Sequence, residues 1–63
     1  MEEERRLAGV GDTVMHRAVP LVGTVKSVSR SVAGNRLLAV QWEGKPNPEV
    51  VLDEEVRWVK RVL

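Results

Sequence analysis

The sequence predicts an all-β fold, with five short strands rolled into a small barrel and a one-turn helix before the last strand. Three observations lead there. The chain has 63 residues, room for one small domain. From Asp12 onward its apolar residues fall in short runs separated by Gly, Pro and Asn, the punctuation of strands and turns. In the clearest run, Arg36 to Trp42, Leu38, Val40 and Trp42 alternate onto one face. Closing such a sheet would remove the unpaired edges that otherwise recruit other chains.

Residues 1–8 read as an N-terminal arm, flexible or briefly helical, and residues 9–63 as the barrel. Glu2, Glu3 and Glu4 precede Arg5 and Arg6, the favourable charge order for a helical turn. With Leu7 as sole apolar anchor, an isolated helix of this length is marginal. Gly9 and Gly11 flank Val10 and lead into Asp12, a turn before a strand. Strand one is Thr13 to Arg17, with Val14 inward. Pro20 breaks the chain into a loop that ends at Leu21, since proline cannot donate to a ladder and holds Val19 extended.

Strand two is Gly23 to Arg30. Val25 and Val28 are three apart, which breaks alternation and predicts a β-bulge or sharp bend between them. Ser31 to Asn35 contains Gly34-Asn35 and reads as a hairpin connection. Strand three is Arg36 to Trp42, with Trp42 in or over the core. Glu43 to Pro48 holds two prolines and a glycine and is a loop. Strand four is Glu49 to Leu52, with Val50 and Leu52 on one side and Val51 on the other. Asp53-Glu54-Glu55 reads as a cap and one helical turn, because an Asp carboxylate accepts from an exposed N–H two or three residues on. Strand five runs from about Arg57 to Val62.

Composition narrows the function. Hydrophobic residues make up 43% and charged residues 30%, the balance of a soluble globular chain. No apolar run reaches the ~18 residues of a membrane span, and the start Met1-Glu2-Glu3-Glu4 is no signal peptide. A cytoplasmic protein with no membrane contact is the expectation. There is no cysteine, Phe or Tyr, so disulfides and thiolate metal sites are excluded. Ordering each residue costs roughly 1.5 kcal/mol, and a core this small barely offsets that. A homo-oligomer that gains burial is therefore expected.

The pattern Val10-Gly11-Asp12-x-Val14, Gly23-Thr24-Val25, Val40-Gln41-Trp42-Glu43-Gly44 and Leu52-Asp53-x-x-Val56-x-x-Val59 resembles the SH3-like small barrels of the KOW and Tudor-like type. That resemblance spans about residues 10–60 and implies a five-stranded barrel with a bent second strand. The length, the Gly-Asp opening and the Gly-x-Val second strand are also similar to plasmid-type (type II) dihydrofolate reductase, a homotetramer of such barrels around one pore. That family carries its chemistry on a Val-Gln-Ile-Tyr run. The matching run here is Val50-Val51-Leu52-Asp53, which lacks both Gln and Tyr.

No catalytic, cofactor or metal site is expected. His16 is the lone histidine and has no second His or Cys to complete a zinc site. Ser27, Ser29 and Ser31 sit near no predicted base. Adjacent acids in the two triplets point in different directions, and Gly9-Val10-Gly11 precedes a strand rather than a helix, so it is no phosphate loop. Two tryptophans cannot build a methyl-lysine cage or a base-stacking row.

Three classes of function remain. The first is a protein-binding, self-associating module. Val56 and Val59 are read as inward and Trp58 as outward, beside Arg57, Lys60 and Arg61. Trp58 then serves as an interface residue or covers the barrel end under the arm. Pro20, Leu21, Lys45, Pro46 and Asn47 join it as partner-binding candidates, and Leu37, Val51, Met15, Val19 and Leu21 are further apolar residues beyond those assigned to a small core, candidates for an exposed patch. The second class is weak, sequence-independent nucleic-acid binding through Arg17, Lys26, Arg30 and Arg36, since no acid lies between Thr13 and Trp42. The third is an oligomeric reductase-like enzyme.

Overall fold

The computed structural model describes residues 7–61, and the expectations for residues 1–6 and for Val62 lie outside them. Five strands form: β1 (Thr13–His16), β2 (Val22–Arg30), β3 (Arg36–Trp42), β4 (Glu49–Leu52) and β5 (Val56–Lys60). A 3-10 turn, Asp53–Glu55, links the last two. All pairings are antiparallel, and the strands lie in one sheet in the order β4-β3-β2-β1-β5. No helix among the described residues is long and apolar enough to cross a membrane.

The connectivity forces this sheet to curl. β4 and β5 occupy opposite edges, which in a flat sheet would be about 19 Å apart at ~4.8 Å per strand. The 3-10 turn between them advances only ~2 Å per residue, so the edges must roll toward each other. No ladder joins β4 to β5, and the sheet is not closed.

The bend that permits rolling sits in β2. Val25 faces Val40 and Ser27 faces Ala39, leaving Lys26 as the extra residue of a bulge. That is how Val25 and Val28, three apart, both turn toward the core. At the far end, Gly34 takes φ +90°, a conformation that residues with a Cβ adopt only at a cost. Its N–H donates to the Ser31 carbonyl at 2.9 Å, and the Ser31 hydroxyl accepts from the Asn35 N–H at 3.1 Å.

Inside the curl, Val14, Val25, Leu38, Val40 and Trp42 are fully buried, joined by Ala8, Val51 and Val56. Ala8 corrects the boundary of the expected arm. Its side chain lies in the core, and its carbonyl accepts from Arg36 Nη2, so the packed unit begins one residue before Gly9. Leu7 remains exposed. The expected Asp53 cap is not made: the turn has no side-chain cap, and the Asp53 carboxylate lies near Arg36 instead.

Candidate functional site

Trp58 turns inward, opposite to the sequence expectation. In the β1–β5 ladder Val14 faces Trp58 and His16 faces Val56, and directly opposed residues share one face of a sheet. Val14 is sealed in the core, so Trp58 and Val56 are on the core side. Trp58 is half-buried and packs against the core cluster. Val59, expected inside, is 42% exposed. The register slips there: Val14 pairs with Trp58 but Thr13 pairs with Lys60, which makes Val59 an extra residue. The three-residue spacing of Val56 and Val59 resembles a helical turn, but the strand already begins at Val56 and its period is two.

Asp12 fixes that corner. Its Oδ2 accepts from the Gly9 N–H at 2.9 Å and from Trp58 Nε1 at 3.3 Å, and its residue is 5% exposed. Asp12→Ala would remove the acceptor of two partly buried donors, at about 2 kcal/mol. A urea melt of that variant is expected to show its free energy of unfolding lowered by that amount.

Pro20, Leu21, Lys45, Pro46 and Asn47 gather at one end of the sheet, where the Glu43 N–H donates to the Val22 carbonyl at 2.9 Å. Gln41 Nε2 donates to the Lys45 carbonyl at 2.7 Å and ties the second loop down. Pro20 and residues 45–47 are exposed, whereas Leu21 packs against the core. Trp58 is not brought to them, because its indole nitrogen reaches toward Asp12 at the other end of β1. His16 lies over Trp42, ring centroids 5.8 Å apart, and its Nδ1 accepts from the Ala18 N–H at 3.0 Å.

The four cations singled out by the sequence do not share a task. Arg17 donates from Nε to the Glu54 carbonyl at 2.9 Å and from its backbone to Glu55 at 3.0 Å. Arg36 sits 3.8 Å from the Asp53 carboxylate. These two arginines hold the 3-10 turn, and Arg36 offsets the charge of Asp53. Arg30 faces Arg36 across the hairpin and donates to the Gly34 carbonyl at 3.1 Å, while Lys26 is exposed on the bulge. Between hairpin and turn lies an open groove of about 310 Å³ lined by Leu7, Arg30, Arg36, Leu52, Asp53 and Glu54, among others. Its charges are mixed and selective for neither sign.

The sequence reading missed how the outer face of β3 and β4 assembles. Leu38 and Val51 pair inward, so the neighbouring pairs Leu37–Leu52 and Ala39–Val50 both face out. Val50 is 64% exposed, and Ser27 and Ser29 of β2 continue the face without a charge. The signal was available in part: Leu37 reads as surplus to the core, and Val50 and Leu52 share a side. The β3–β4 register that joins them is not legible from the chain.

Together these features define a small all-β module: a curled antiparallel sheet, its two tryptophans turned toward the core, and an uncharged apolar outer face. Among the described residues no group of three or more His, Cys, Asp or Glu could hold a metal ion. No family model, curated protein or solved structure matches the chain.

Proposed function

We propose that this chain is a non-catalytic interaction module, an SH3-like barrel in the way its sheet rolls, that associates with a second copy of itself. The observation that carries the reading is the outer face of β3 and β4, where Leu37, Ala39, Val50 and Leu52 adjoin with no charged side chain between them. A face without charge can meet its own copy without burying an unpaired ion, and two-fold pairing repeats one patch on both partners. A core of eight buried apolar residues among those described leaves a chain of this size short of burial, which favours association. The edge of β4 lies beside the patch and can extend the contact by strand pairing.

Sedimentation velocity tests this reading. The wild-type chain is expected to dimerise as its concentration rises. Val50→Glu, at a site exposed in the single chain, is expected to weaken that association roughly tenfold or more by burying an acid in each copy. Its circular dichroism should match wild type. A wild-type chain that stays monomeric at millimolar concentration would overturn the proposal.

A further inference from the structure

The other half of the sheet presents a second outer face of different chemistry. Lys60 lies opposite Thr13, and Thr13 lies opposite Thr24. Thr13 neighbours the inward Val14, so this row faces out. The bulge at Val59 is what returns Lys60 to the outer side after Arg57, which lies opposite Met15. Lys26 follows Thr24 by two residues. Arg57, Lys60 and Lys26 are all exposed, and among the described residues none forms an ion pair or donates a side-chain hydrogen bond. The outward residues of β5, β1 and the first half of β2 include no acid. Glu43 and Glu55 lie at the end of the sheet where β1 finishes, away from Lys60 and Lys26.

Three cations unpaired among the described residues, with two threonine hydroxyls among them, form a donor surface to which no described residue adds a carboxylate. We propose that this face binds the phosphate backbone of a nucleic-acid duplex, without reading sequence. Lys and Arg neutralise phosphates, and Thr hydroxyls and Lys ammonium groups donate to phosphate oxygens. A duplex fits better than a single strand, because single-strand binding relies on aromatic side chains that stack bases. The chain has no Phe or Tyr, Trp42 is buried and Trp58 points to the core side. The face shares no residue with the Leu37–Val50 patch, which it meets at the Lys26 bulge, and the two proposals are tested by different variants.

The test is fluorescence anisotropy with a labelled, mixed-sequence DNA duplex of about 20 base pairs. Three phosphate contacts give a log–log salt slope of about −2.7, so affinity is expected to fall roughly fortyfold between about 50 and 200 mM salt. Lys60→Glu is expected to lower affinity roughly fivefold or more and to reduce the slope by about one or more. Arg30→Glu makes the same charge change away from the face and should alter affinity less than about twofold. Circular dichroism of both variants reads folding separately. The proposal is overturned by equal losses in the two variants, by no binding at low salt, by tighter binding of a single strand of equal length, or by a preference for phosphatidylserine vesicles.

Discussion

Gly23→Ala is expected to lower stability by about 3 kcal/mol, the upper end of what an overpacked core site costs. A Cβ at Gly23 would lie 2.6 Å from Val40 Cγ1, 2.7 Å from the Gln41 carbonyl oxygen and 2.8 Å from Trp42 Cε3. Two of those neighbours are fully buried side chains and the third is backbone of the paired strand, so none can yield without disturbing β3. At 0.05–0.15 kcal/mol per residue a chain of this length holds only about 3–9 kcal/mol in total, and such a loss leaves a large unfolded fraction. Gly44→Ala separates sterics from backbone conformation. Gly44 has φ +83° and open space where a Cβ would stand, so its variant should lose only about 1 kcal/mol. Urea denaturation of the pair checks both values; equal losses would mean that crowding at Gly23 is not the cause.

The second large effect is at Trp42. It is the largest of the fully buried side chains, at 1% exposure, and Trp42→Ala is expected to cost about 3–5 kcal/mol and leave little folded protein. Trp42→Phe should be much milder. The indole Nε1 is buried and has no hydrogen-bond partner among the described residues, so phenylalanine removes an unpaired donor along with part of the volume. A loss nearer about 1–2 kcal/mol follows. Trp58 remains as the fluorescent reporter in both variants. A Phe variant as unstable as the Ala variant would show that the indole nitrogen makes a bond this account lacks.

Most of the strand layout is legible in the chain because its causes are local. Alternation and flanking turn residues place β3 and β4 at the bounds found in the structure, and the spacing of Val25 and Val28 marks the bulge at Lys26. What escapes is whatever depends on pairing. The inward turn of Trp58 follows from its partner Val14, and the slip at Val59 imitates a helical spacing. The engagement of Arg17 and Arg36 with the turn spans 37 residues in one case, Arg17 to Glu54, a distance over which charge order says nothing. Ala8 reads as arm because one small side chain carries no pattern, yet it fills the core. The apolar outer face arises in the same way, since Leu37 meets Leu52 only once β4 is in register.

The most direct test of the account is a concentration series of amide and indole NMR spectra of the wild-type chain. As concentration rises, shifts are predicted at Leu37, Ala39, Val50 and Leu52, while the Trp58 indole resonance stays in place. Movement of the Trp58 indole with a silent β3–β4 face would contradict it, and would return the contact surface to β5.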